Sequence, residues 1–160
     1  MSNEFVVRGG TVIDQSGVRK ADVGIAAGRI TEVGTAVRGE TEIDASGCVV
    51  SPGFVDLHVH LRQPGREEAE TVETGSRAAA LGGFTAVVAM PNTEPAQDTV
   101  AVVEQVRRWG DEAGLCEVLP SGCLTIGRNG ERMAPIGELA AVGVRIFTDD
   151  GNGVQDPLLM

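Results

Sequence analysis

SPGFVDLHVHLRQPG, residues 51–65, is the stretch on which the reading of this chain turns. Residues 54–62 read as a strand, because a short run rich in Val and Leu bounded by Pro and Gly favours extended backbone. Side chains of a strand alternate between its two faces. The odd positions, Val55, Leu57, Val59 and Leu61, are apolar and suited to packing under helices. The even positions are Phe54, Asp56, His58, His60 and Arg62, so one face carries a carboxylate, two imidazoles and a guanidinium in series. Burying such groups without partners is costly, and a metal ion with an anionic ligand would compensate. Same-face neighbours lie about 6.7 Å apart along a strand. Two imidazoles leaning inward can still reach one ion at about 2.0–2.1 Å from each nitrogen. His58 and His60 are the only two histidines among the 160 residues. A bare HxH is a short motif, and two structural histidines hydrogen-bonded in a core or rim are the bland alternative. The strand context and the neighbouring Arg62 favour the metal.

Downstream of this strand, strands and helices alternate. A helix is expected over 67–81, with Glu67, Glu68 and Glu70 in its first turn, where the helix dipole favours negative charge, and Gly82-Gly83 as its stop. FTAVVAM (84–90) is an almost uninterrupted apolar strand, as in a parallel sheet covered on both faces. Asp98 is the expected cap of a second helix, which carries Val102, Val103, Val106 and Trp109 on one side and ends at Gly110 behind Arg107 and Arg108. LCEVLPSGCL (115–124) reads as a third strand broken near Pro120, followed by a helix around 135–141 and a fourth strand, VRIFTDD (144–150). Four strands alternating with helices imply a parallel α/β architecture. A closed eight-stranded barrel takes about 250 residues. Residues 52–160 are therefore expected to be the N-terminal half of a (β/α)8 TIM-type barrel, about four β/α units. Helical-looking DPLLM (156–160) reads as leading onward.

Residues 1–51 have another texture. FVVRGG, TVIDQSG, ADVGIAAG, RITEVG, TEIDASG and CVV are short β-rich runs closed by glycine, expected as hairpin-linked strands of a small separate segment.

Composition narrows the function. The net charge is −10, from 23 acidic and 13 basic residues, which argues against nucleic acid, since phosphate binding needs clustered cations. No apolar run approaches the roughly 20 residues of a membrane span, and MSNEFVVRGG lacks the features of a signal peptide, so a cytoplasmic protein is expected. Cys48, Cys116 and Cys123 show no CxxC spacing and read as buried, reduced thiols.

SPGFVDLHVHLRQPG resembles the signature of the amidohydrolase superfamily, in which a PGxxDxHxH strand supplies the first two metal ligands. HLRQPG, taken with TGSRAAALGGFTAVVAMPNTEP (74–95), resembles the dihydroorotases more narrowly. The resemblance implies a small β-sandwich for residues 1–51 and zinc, one or two ions, held by His58, His60 and a bridging carboxylate. It implies a substrate carboxylate held by His60, Arg62 and Asn92, for which a guanidinium fork is chemically apt. Asn92 otherwise reads as a turn residue after Pro91. Hydantoinases and allantoinases, the alternative cyclic amidohydrolases, generally bridge their metals with a carboxylated lysine near the end of strand four. This chain has no lysine after Lys20, and the dihydroorotase type it resembles uses an aspartate there. By spacing Asp150 is the expected bridging ligand and Asp149 the second choice, against a plain Asp-Asp-Gly turn. The implied activity is the interconversion of N-carbamoyl-L-aspartate and L-dihydroorotate in pyrimidine biosynthesis. The catalytic aspartate and two further histidine ligands are expected beyond Met160, so the chain by itself is expected to be inactive. A non-catalytic scaffold is the alternative of a different class. Self-association and association with an aspartate transcarbamoylase are both compatible with the resemblance.

Overall fold

The computed structural model describes residues 2–159. The chain divides into two compact units at Pro52. In the first, β1 (Asn3–Asp14), β2 (Gly17–Ala26), β3 (Arg29–Gly34), β4 (Gly39–Asp44) and β5 (Val49–Val50) form one sheet in the order β3-β2-β1-β4, with β5 also on β1. The first three strands are joined by antiparallel hairpins, while β4 and β5 run parallel to β1.

FVVRGG and TVID were expected as separate strands; they are one strand that continues through Gly9-Gly10. The pairing with β2 shifts register between Val7 and Gly10, a bulge that kinks the strand while pairing continues on both sides. At Gly10 a Cβ would stand 2.5 Å from Val50 Cγ2, so only glycine lets β5 approach. Val12, Ala21 and Val23 form the buried cluster of this unit. Arg8 binds both Asp22 and Glu42, and a two-bond Arg19–Asp14 pair draws the Asp14 carboxyl down to about 2.

The second unit is a three-stranded parallel sheet, β6 (Phe54–Val59), β7 (Phe84–Ala89) and β8 (Glu117–Pro120), in the order β6-β7-β8. Between them run α1 (Val72–Leu81) and α2 (Val100–Ala113), and α3 (Ile136–Ala141) follows. Leu61, Val72, Val87, Ala89, Val106 and Val118 make one buried cluster. Val103, Cys123, Ala134, Leu139 and Val144 make another. This is the mixed α/β class expected.

Several local expectations need correction. The first strand stops at Val59 and not at Arg62, whose φ of +52° leaves extended geometry. Of its odd positions Leu61 is buried, but Val55 and Leu57 are exposed because β6 is the edge of this sheet. Helix α1 begins at Val72, so Glu67, Glu68 and Glu70 precede it. Thr71 and Thr74 form a reciprocal capping box, and Gln63 Oε1 accepts from the Val72 N–H at 2.8 Å. These contacts satisfy N–H groups that every helix start leaves orphaned. Thr99, not Asp98, caps α2; the Asp98 carboxylate accepts from Gly127 N–H at 2.8 Å. Helix α2 also runs past Gly110 to a left-handed Gly114.

The fourth strand is reduced to a single parallel bridge between Gly122 and Phe147, closed by Gly122 N–H to Ile146 O and Thr148 N–H to Gly122 O, both 2.9 Å. Beyond it the N–H groups of the neighbouring segment are taken elsewhere: Cys123 donates to Gln97 O, and Leu124 and Thr125 donate to the Asp149 carboxylate. Among the cysteines only Cys123 is fully buried, with its thiol pushed up to about 12 by that burial; Cys116 is half-buried and Cys48 is exposed. No helix among the described residues is long and apolar enough to cross a membrane.

Gly110 tests the seating of α2 on β8, because a Cβ there would lie 2.5 Å from Val118 Cβ. Gly110→Ala is expected to cost about 1–3 kcal/mol by overpacking, despite the better helix propensity of alanine. A urea midpoint at or above that of the parent would contradict this packing.

Candidate metal centre

Three segments bring their polar ends together at the C-terminal ends of the parallel strands. His58 is the fifth residue of β6 and His60 follows that strand directly. Asn92 sits just past β7, whose last residues Val88 and Ala89 are buried, as is Met90 after them. Asp150 follows the bridged segment that ends the 144–149 run. Parallel strands end on the same side of their sheet, so residues far apart in sequence meet there.

The His58 and His60 rings lie 5.2 Å apart between centroids, inclined at 71°. Asp150 Oδ1 is 3.3 Å from His58 Nε2, and Asp150 Oδ2 is 3.7 Å from His60 Nε2. One donor atom from each of the three residues lies within 4.8 Å of the others. Two ligand atoms each about 2.1 Å from one tetrahedral ion stand about 3.4 Å apart. Two imidazoles and a carboxylate at this spacing could hold one divalent metal ion, with slight closure needed across the wider pair. Exposure falls from His58 (57%) through His60 (30%) to Asp150 (18%), so the set is open on the His58 side.

Asn92 spans the other flank. Its Oδ1 is 2.9 Å from His60 Nδ1, and its Nδ2 donates to Asp150 Oδ2 at 3.1 Å. Asp56 accepts from the backbone N–H of His58 at 3.0 Å, so its carboxylate orients the main chain of the first histidine and not the ring. Arg62 is half-buried, and its guanidinium makes no hydrogen bond or ion pair among the described residues.

The two adjacent aspartates have different work. Asp149 is buried, 2% exposed, and accepts from Leu124 N–H at 2.8 Å, Thr125 N–H at 3.0 Å and the Thr125 hydroxyl. Its lone pairs are spent on the loop. Asp150 faces the histidines. Arg128 then ties the same loop down from outside, its Nη1 donating to Asp150 O at 3.0 Å while Asn152 Nδ2 donates to Arg128 O at 3.0 Å. Thr125 and Arg128 were not singled out in the sequence. Gly-Arg-Asn-Gly reads there as an ordinary turn, and nothing in the pattern signals a contact to a residue 22 positions away.

These roles separate in stability measurements. Asp149→Asn should cost about 1–3 kcal/mol, since it weakens a buried charged acceptor of three donors. Asp150→Asn should cost less, because its carboxylate accepts a hydrogen bond from one side chain, Asn92, among the described residues and otherwise faces the two imidazoles. Equal losses in urea for the two variants would contradict this division.

Residues 47–160 match the family model described as Dihydro-orotase-like, and residues 1–53 match that of the urease alpha-subunit N-terminal domain. The chain is similar to the dihydroorotase of Leifsonia xyli subsp. xyli, at 51% identity over all of this chain and 37% of that protein. To the dihydroorotase of Pelobacter propionicus it is 48% identical, over 98% of this chain and 38% of that protein. Among solved structures, the L-hydantoinase from Arthrobacter aurescens superposes with a TM-score of 0.75 over 91% of this chain and 32% of that one, at 24% identity, a likeness of fold. The chain thus spans well under half the length of the relatives it matches. By the match over 47–160, the chain belongs to the dihydro-orotase-like family of amidohydrolases.

Proposed function

We propose that this chain supplies the first metal-binding and substrate-binding elements of a zinc-dependent dihydroorotase, a cyclic amide hydrolase that interconverts N-carbamoyl-L-aspartate and L-dihydroorotate. The convergence of His58, His60 and Asp150 carries the reading. The activity is proposed for a protein with the whole barrel, since the chain covers 37% of its relative from Leifsonia xyli subsp. xyli. In this reading residues 52–160 are half of a (β/α)8 barrel, and residues 1–51 form a small β-sandwich segment.

His58 and His60 would hold zinc through Nε2, and Asp150 through its carboxylate. When bound, the ion supplies Lewis acidity for the amide carbonyl and acidifies a water to a pKa of about 7. The chain's own residues set where the substrate lies. Among the described residues the Arg62 guanidinium has no partner, and a bidentate fork of two N–H donors fits a carboxylate. Asn92 stands on the same rim and has a second amide N–H for that anion, while His60, a substrate contact by the resemblance, lines the rim with Nδ1 on Asn92 and Nε2 toward the ion. A cavity of about 230 Å³ also opens beside His60, but Asp56 and Glu70 line it. Carboxylates repel an anionic substrate, so the cavity is not its seat.

Asp150 in the bridging position, in a chain with no lysine beyond Lys20, favours this reading over a hydantoinase or allantoinase. The decisive experiment measures zinc by elemental analysis and dihydroorotate hydrolysis in the complete protein. One or two zinc ions per chain are expected, with both zinc and turnover lost in a His58→Ala/His60→Ala double variant. A folded protein without zinc would instead favour the scaffold reading. Self-association and a transcarbamoylase partner are further proposals that the resemblance supports.

A further inference from the structure

We propose that Asn92 is a positioning residue for the metal centre: it sets the tautomer of His60 and turns Asp150 toward it, so that both present lone pairs to one cation. This rests on the metal reading of His58, His60 and Asp150. A carboxylate such as that of Asp150 can only accept. The group 3.1 Å from Asp150 Oδ2 must therefore be the Asn92 amide nitrogen. That orients the amide, and its carbonyl oxygen then lies 2.9 Å from His60 Nδ1. A carbonyl also only accepts, so Nδ1 must carry the proton.

A neutral imidazole has a single N–H, which leaves His60 Nε2 bare. It lies 3.7 Å from Asp150 Oδ2. With the ring neutral, two lone pairs then face each other across that gap, an arrangement that a bound cation relieves. Asn92 thus couples residues from two separate rim segments through one rigid planar group. The second N–H of the same amide remains available to an anionic substrate, so positioning and substrate contact do not compete.

Nitrogen NMR of the zinc-free full chain above pH 8, with zinc titrations beside it, tests this. Wild type should show His60 protonated at Nδ1 and bare at Nε2. Asn92→Ala should lose that preference and bind zinc roughly 10–100-fold more weakly, the usual range for removing a partner of a metal ligand. Asn92→Asp keeps an acceptor for Nδ1 and should keep the tautomer, but it repels Asp150; retained tautomer there guards against reading a misfolded alanine variant as support. An Nε2–H form in wild type would overturn the proposal. So would zinc affinity unchanged in Asn92→Ala with only KM raised, the mark of a substrate contact alone. Wild type with the Nδ1–H form but no zinc uptake would overturn the metal reading instead.

Discussion

Where the chain leaves the Phe147 bridge and enters a turn, two adjacent carboxylates, Asp149 and Asp150, are divided between two incompatible jobs. A buried carboxylate must be saturated with donors or it costs several kcal/mol. Asp149 meets this with two backbone N–H groups and a hydroxyl. A metal ligand must keep lone pairs uncommitted toward the ion. In the proposed site Asp150 is left to face the histidines while its neighbour anchors the loop. Had one aspartate been asked to hold the loop and face the histidines, neither role would be filled.

The parallel sheet explains why the remaining parts meet there. Each β/α connection returns the chain to the same end, so β6 and β7 deliver their following residues to one rim. The buried faces of α1 and α2 hold those strands in register, through Val72 in one helix and Val103, Val106 and Gly110 in the other. Packing sets the strand spacing, and the strand spacing sets the distance between His60 and Asn92. Stability and site geometry are linked through the same valines.

Much of this was legible in the sequence for a physical reason. A polar face of Asp56, His58 and His60 inside an apolar stretch conflicts with burial, and such conflicts mark sites. The α/β alternation and the presence of helices, expected over 67–81, from Asp98 to Gly110 and around 135–141, were legible from apolar spacing and helix-end signals, while their bounds were not. The start of α1 did not, because the Glu-rich 67–70 run mimics a first turn while Thr71 and Thr74 supply the actual cap. VRIFTDD looks like a full strand by composition, yet it pairs through one bridge, beyond which the neighbouring N–H groups go to Gln97 O and the Asp149 carboxylate. Asn92 was legible as a rim residue. Its double attachment to His60 and Asp150 was not, since that depends on loop conformations that local propensity does not encode.

The central claim is that His58, His60 and Asp150 ligate one ion through two imidazoles and a carboxylate. X-ray absorption at the zinc edge of the zinc-loaded protein tests it most directly. The account predicts a first shell of nitrogen and oxygen only, at about 2.0–2.2 Å, with the outer-shell scattering of at least two imidazoles that disappears in His58→Ala/His60→Ala. Sulfur at about 2.3 Å, or a shell without imidazole scattering, would contradict it.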